Sequence, residues 1–190
     1  MELLTKLDVE IFLWIQNHLH NGAYDLYFAL FRDKHTWIPL YVFLIAWLFF
    51  NFGKKAGWVI LFAIALIAAT DQINSSFIKK MIKRERPCRN EHLLEKYTPL
   101  IQCSGGYSFP SSHATNHMGL AGFLIFVVGT GRFRWLLMLW AILVGFSQVY
   151  VGVHFPLDVV CGFLEGTLLA GVFFLLFKWF GQWKYNDETS

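Results

Sequence analysis

Five apolar stretches of this 190-residue chain look membrane-spanning. They cover roughly residues 37–52, 56–77, 115–128, 134–151 and 159–180. A helix needs about 20 apolar residues, with a range near 17–25, to cross a bilayer. Inside hydrocarbon it must satisfy its own backbone hydrogen bonds. The chain is therefore expected to be an all-α integral membrane bundle of five transmembrane helices. The first and third stretches are short, so each should begin before its purely apolar part, the third at Ser111 or Ser112. The composition agrees: 56% of residues are hydrophobic and 15% charged, against about 25% charged in soluble domains. The length fits one domain spanning residues 1–190. A scattered net charge of +3 points away from nucleic acid. Glu2 and Asp8 occupy the place of a basic leader region, so no cleavable signal peptide is expected.

Residues 1–33 have a different character. Leu7, Ile11, Trp14, Ile15 and Leu19 recur at helical spacing, with Asp8, Glu10, Gln16 and His18 on other faces. This pattern predicts an amphipathic helix lying on the membrane surface. Asn21-Gly22 should break it, and a second short helix should follow over residues 25–31. A sixth span here is the competing reading. The connections at 53–55 and 129–134 are short and basic, and Lys178 and Lys184 mark the C-terminal end. With five alternating spans these lie on one side, which the positive-inside rule makes cytoplasmic. The long loop, 79–112, and the turn near His154 then face outward. That loop is itself basic, which opposes the assignment unless its cations serve chemistry. Cys88 and Cys103 share the loop and either pair, if the loop meets an oxidising compartment, or remain free thiols. Cys161 reads as core filler.

Three polar clusters fall on the outward side: Lys79 with Arg86-Pro87, then Pro110-Ser111-Ser112-His113, then Ser147-Gln148 with His154 and Asp158. Ionisable groups beside membrane spans are functional candidates by default. Ser111 is suited to cap the helix after it, and the N–H groups of a helix N-terminus bind phosphate. His113 could donate a proton to a leaving oxygen. Arg86 offers a planar fork for phosphate oxygens and Lys79 a point charge. Lys80, Lys83 and Arg84 read more simply as snorkelling interfacial cations. His154 and Asp158 are four apart, a spacing that places them on one helix face. An Asp bonded to one imidazole nitrogen leaves the other free as a nucleophile. Each cluster alone also has an ordinary structural explanation.

Together the clusters resemble the signature of the type 2 phosphatidic acid phosphatase superfamily of membrane lipid phosphatases. That signature is Lys, six residues, Arg-Pro; then Pro-Ser-Gly-His; then Ser-Arg, five residues, His, three residues, Asp. Lys79, Arg86 and Pro87 match the first part, Pro110, Ser111 and His113 the second, and Ser147, His154 and Asp158 the third. The resemblance implies that His154 attacks phosphorus to form a phosphohistidine, that Asp158 orients it, and that His113 protonates the departing oxygen and later activates water. Lys79, Arg86, Ser111, Ser112 and Gln148 would hold the phosphate. The implied chemistry needs no metal or other cofactor. The implied substrate is a lipid-linked phosphate in a bacterial inner membrane, with the site facing the periplasm and no obligate protein partner.

Two positions depart from the signature. Ser112 replaces Gly and keeps the backbone N–H. Gln148 replaces Arg and loses a cation, a kind of loss that costs about 100–1,000-fold when the donor serves the transition state. Arg89 or Lys83 could compensate. Undecaprenyl diphosphate is the first expected substrate, with lipid A phosphate and phosphatidylglycerol phosphate close behind. A phosphotransferase between lipids, or a lipid-binding or transport protein with a degenerate site, are the alternatives. Asp71 and Glu165 lie in apparent spans at matching depth. They form either a polar pair, with Asn74 or His117, or two separately bonded structural acids. His117, one turn after His113, is expected to be structural rather than a metal ligand.

Overall fold

The computed structural model describes residues 2–129 and 131–181. Thr130 and Lys184, which entered the charge pattern above, lie outside the described residues. The helices are α1 (Glu2–His18), α2 (Gly22–Phe31), α3 (Ile38–Phe52), α4 (Ala56–Gln72), the short α5 (Lys79–Ile82) and α6 (Glu91–Leu94), α7 (Ser112–Val128), α8 (Phe133–Tyr150) and α9 (Pro156–Gly181). No strand occurs among the described residues. Local chemistry sets several boundaries. Asn21 caps α2 by accepting from the Tyr24 N–H at 3.1 Å. Gly53, at φ 52°, ends α3 in a conformation that other residues resist. Pro156 opens α9, where its missing N–H is harmless.

Three helical stretches are long and apolar enough to cross a membrane: Lys34–Ile82, with 49 residues, Phe133–Tyr150 and Pro156–Phe180. The first is folded back on itself at Gly53–Lys55. Leu48 and Ile60 line one end of a shared groove and Tyr41 and Ile67 the other, so α3 and α4 run side by side. A π-helical turn over Ile73–Ile78 joins α4 to α5. The bundle's outer faces expose Val42, Phe50, Leu136 and Leu168. So much apolar surface suits lipid rather than water. The core gathers Leu48, Leu66, Phe123, Val144 and Phe177.

The closest packing is between α7 and α9, and small residues create it. A Cβ added at Gly166 would meet the Thr115 carbonyl oxygen at 2.4 Å and the Gly119 nitrogen at 2.9 Å. One turn away, a Cβ on Gly162 would come within 2.8 Å of the Ser111 carbonyl oxygen. Small residues at four-residue spacing let helix backbones approach within a membrane. Here they draw the N-terminus of α7 against the start of α9, where the second and third polar clusters sit.

Helix α1 turns Leu7, Ile11 and Trp14 of its apolar stripe outward, where a membrane surface would meet them, while Ile15 of that stripe is buried with Phe12, Asp8 and Gln16. Gln16 donates to the carbonyl oxygens of Val149, at 2.8 Å, and Tyr150, at 3.3 Å. Phe12 packs edge-on to Tyr97 and against Phe155. Helix α1 thus docks through polar as well as apolar groups, and its hydrophobic stripe is left for other surroundings. Neither α1 nor α2 is among the span-length stretches.

The long loop folds over the α8–α9 turn. Leu100 N–H donates to the Val151 carbonyl and the Tyr97 hydroxyl to the Gly152 carbonyl. Gly152, at φ 84°, has no room for a side chain, since a Cβ would meet the Tyr97 ring at 2.7 Å. Cys88 and Cys103 are joined by a disulfide with their Cα atoms 5.7 Å apart. Asp71 and Glu165 turn out to be separate. Asn116 donates to Asp71 at 2.8 Å, and Thr115 donates to Glu165 at 3.3 Å. Asn74 is buried without bonding to either.

Candidate active site

Three segments meet at His154: the long loop, the N-terminus of α7 and the turn before α9. His154 is buried, and both ring nitrogens are engaged. Nδ1 lies 3.3 Å from Asp158 Oδ2 and 3.5 Å from Ser108 Oγ. Nε2 lies 3.0 Å from Arg86 Nη1. A guanidinium only donates, so Nε2 must be the acceptor nitrogen and Nδ1 carries the proton. This tautomer leaves the lone pair on Nε2, beside the cation that would bind phosphate. The sequence spacing suggested that a shared helix face would pair His154 with Asp158. Instead His154 precedes α9, and the turn is closed by its own N–H and that of Val153 donating to the Gln148 carbonyl oxygen.

Asp158 is saturated with donors. Its Oδ2 accepts from the Ser108 hydroxyl in a short bond, from the Phe155 N–H at 2.9 Å and from His154. Its Oδ1 accepts from Arg84 Nη1 at 2.6 Å. Arg84 in turn reaches Asp8 on α1 at 2.5 Å, and Asp8 also accepts from the Leu157 N–H at 2.8 Å. Arg84 is therefore no snorkelling interfacial cation. Its guanidinium sits 4.1 Å above the Phe155 ring, between two buried carboxylates. Asp8, Arg84 and Ser108 were missed in the sequence because their partners are up to 150 positions away in the chain.

Arg86 is held by the loop around it. Its Nε and Nη2 donate to the Gly106 and Gly105 carbonyls, each at 3.3 Å. Its Nη1 also donates to the Val153 carbonyl at 3.2 Å. Lys79 makes no hydrogen bond or ion pair among the described residues, yet its charge is coupled to those of Arg86 and Asp158. Ser111 caps α7: its Oγ accepts from the Ala114 N–H at 3.5 Å, and its own N–H donates to the Asp158 carbonyl at 3.0 Å. That bond ties the second cluster to the third.

The remaining candidates are placed differently. Ser112 and His113 line a cavity of about 450 Å³ between α3, α4 and α7, bordered also by Lys34, Asp71 and Asn116. Gln148 is fully buried and its amide donates to Ser147 Oγ at 3.4 Å, with Oε1 unpartnered. Of the two suggested compensating cations, Arg89 is committed to the Ser104 carbonyl at 3.1 Å and Lys83 ends α5 in a left-handed conformation. Besides Arg89, Arg32 at the end of α2 lies close enough for its charge to be felt at Arg86. His117 is structural: its Nδ1 is 2.8 Å from the His113 carbonyl and its ring packs on Trp140.

Burial governs the electrostatics. It pushes the His154 imidazole down to about 4, the bond from Asp158 only partly opposing it. The ring is thus neutral at physiological pH. Burial also lowers the Arg86 guanidinium to about 10, and Asp158 opposes this while Arg89 and Arg32 add to it. Arg86 stays charged at neutral pH. A neutral imidazole with an unprotonated nitrogen, once substrate phosphate takes over its bond from Arg86, can attack an anionic phosphorus centre.

Comparison with known proteins agrees with this geometry. The model of a family described as the PAP2 superfamily matches residues 56–182. A lipid A 4'-phosphatase from Bacteroides thetaiotaomicron is 32% identical over 182 residues, covering 93% of this chain and 79% of that protein. A lipid A 4'-phosphatase from Porphyromonas gingivalis is 30% identical, over 90% of this chain and 72% of the other. The crystal structure of a PAP2-type phosphatidylglycerolphosphate phosphatase from Bacillus subtilis superposes with a TM-score of 0.66 at 25% identity, covering 100% of this chain and 90% of that one.

Proposed function

The chain belongs to the PAP2 superfamily and is a membrane lipid phosphatase, and from that premise we propose that it hydrolyses a lipid-linked phosphate through a phosphohistidine on His154. The observation that carries this reading is the engagement of His154: Arg86 on Nε2 and Asp158 on Nδ1. In the first step Nε2 forms a bond to phosphorus and the ester oxygen–phosphorus bond breaks. The departing oxygen takes a proton from His113. In the second step His113 takes a proton from water, the new oxygen attacks phosphorus, and the nitrogen–phosphorus bond breaks to release phosphate. Asp158 holds the imidazolium-like intermediate. Lys79, Arg86 and the N–H groups at the start of α7 neutralise the phosphate oxygens. The cycle uses the chain's own cations and requires no metal.

Lipid A phosphate replaces undecaprenyl diphosphate as the first substrate, because the two lipid A 4'-phosphatases described above match over 93% and 90% of this chain. The phosphotransferase reading keeps the same first step. A single membrane-embedded domain over residues 1–190, with 79–112 as its active-site loop, fits the way that loop closes over His154. The disulfide in that loop suits an oxidising compartment. It supports a periplasm-facing site in a bacterial inner membrane, with Lys54, Lys55, Arg132 and Arg134 at the cytoplasmic end. The test is phosphate release by purified protein from a panel of lipid phosphates in the presence of chelator. Release from at least one lipid is expected. Absence of release from every lipid, or full activity of His154→Ala, overturns the reading.

A further inference from the structure

Beside His113, on the side away from His154's partners, lies the 450 Å³ cavity. Its size falls in the range of about 300–1,000 Å³ typical of ligand sites. Its wall is unusually polar for a place between membrane helices. Lys34 stands at the start of the α3 segment, Asp71 on α4, and Ser112, His113 and Asn116 on α7. Asn116 lies three residues beyond His113, so it is about 4.5 Å deeper along the helix axis.

The polar groups are not interchangeable. Thr70 donates its hydroxyl to Asn116 Oδ1 at 2.6 Å, which orients the Asn116 amide so that Nδ2 donates to Asp71 Oδ1 at 2.8 Å. Asp71 Oδ2 is left with no partner among the described residues. Asp71 is exposed, and as a carboxylate this oxygen can only accept, so a ligand in the chamber would meet it with a hydroxyl or amide donor. On its lower side the cavity shares Tyr41, Ile67 and Leu120 with an apolar groove of about 440 Å³ between α3, α4 and α7. Polar chamber and apolar groove therefore lie side by side and share part of their walls, which marks out a candidate path leading away from His113.

We propose that this path is the leaving-group subsite, and that it takes a hydroxyl-rich saccharide headgroup in the chamber and an acyl chain in the groove. The inference rests on the proposed role of His113: the group that departs must lie next to its proton donor. A phosphorylated glycolipid supplies hydroxyl donors to Asp71 and acceptors to Lys34 and Asn116. A prenyl diphosphate has no hydroxyl donor to offer Asp71; its second phosphate could pair with Lys34 but would leave the free Asp71 oxygen unanswered. The chamber thus discriminates between substrates that the His154 cage treats alike.

The test uses purified full-length protein with two substrates, an acylated glucosamine-disaccharide monophosphate and a long-chain prenyl diphosphate. Both are assayed on the same preparation, so their ratio does not depend on the fraction of protein folded. Asp71→Asn replaces the free acceptor by a donor. It is expected to lower kcat/KM for the glycolipid at least tenfold relative to the prenyl diphosphate. An unchanged ratio overturns the proposal. Wild-type protein gives an independent reading: the dephosphorylated glycolipid should inhibit competitively and free polyprenol should not. Equal inhibition by the two overturns the proposal as well. If wild-type protein hydrolyses neither substrate nor any other lipid phosphate, it is the enzymatic reading above that fails.

Discussion

The two histidines proposed to share the chemistry sit in contrasting surroundings. His154 is enclosed: both nitrogens are bonded, and its partner Asp158 accepts donors from four residues. His113 lies on the first turn of α7 and borders an open chamber. The nucleophile is thus oriented before substrate arrives, whereas the leaving-group side is shaped to receive something. On the proposed roles, phosphate recognition falls to the enclosed region and substrate choice to the open one. Preorganisation of this kind lowers the reorganisation needed at the moment of reaction.

The largest effect should come from the enclosed side. Replacing His154 by Gln is expected to lower kcat by about 10,000-fold or more for every substrate alike, since it removes the nucleophile itself. Steady-state phosphate release measures it, and a loss confined to one substrate would break the contrast. His113→Gln should cost about 100–10,000-fold on a lipid monophosphate. The same change should cost far less on p-nitrophenyl phosphate, whose leaving group needs no proton. Equal losses on both esters would remove His113 from the leaving-group side.

The chain of charges behind the nucleophile offers a third test. Arg84→Ala leaves Asp8 and Asp158 buried without their shared cation, a kind of change that costs about 3–5 kcal/mol. Thermal unfolding in detergent should show it as a marked fall in Tm. A Tm within a degree or two of wild type would mean that α1 is not anchored to the site as described. The pH dependence gives a smaller but sharper signal. Burial lowers His154 from 6.5 to about 4, and attack requires the unprotonated ring. The acid limb of kcat/KM should therefore fall near pH 4, with activity retained through pH 6.5 and lost only as the pH drops further. A midpoint at 6.5 or above would show that His154 is not buried in the working enzyme. The smallest expected effect is that of Gln148→Arg. The Gln148 side chain donates to Ser147 Oγ and makes no hydrogen bond to Arg86 or the His154 ring among the described residues, so activity should change by no more than a few-fold.

What could be read from the sequence follows from the range of the interactions involved. The all-helical, largely apolar architecture was legible because hydrophobicity and helix periodicity are local, whereas only three span-length stretches are found among the described residues and α7 is not one of them. The α7 cap was legible because Ser111 and Ala114 are neighbours. The candidate residues of the three clusters could be picked out together because their spacing is a pattern along the chain. Arg84 was misread because its partners, Asp8 and Asp158, lie at opposite ends of the sequence. Nothing near residue 84 distinguishes it from Lys80 or Lys83. The apolar stripe of α1 stood out as a local period, whereas the burial of Asp8 and Gln16 depends on partners far along the chain. The glycine contacts between α7 and α9, at Gly119, Gly162 and Gly166, carry no chemistry and stand out only once the two helices are seen side by side.

The central claim is that His154 Nε2 becomes covalently bonded to phosphorus. It can be tested by rapid quenching of purified protein during turnover of a ³²P-labelled lipid phosphate, followed by peptide mapping. Label is expected on the peptide containing His154, stable in alkali and lost in acid, and absent from His154→Gln. Turnover at full rate with no label on wild-type protein, or label that persists in His154→Gln, would contradict the claim.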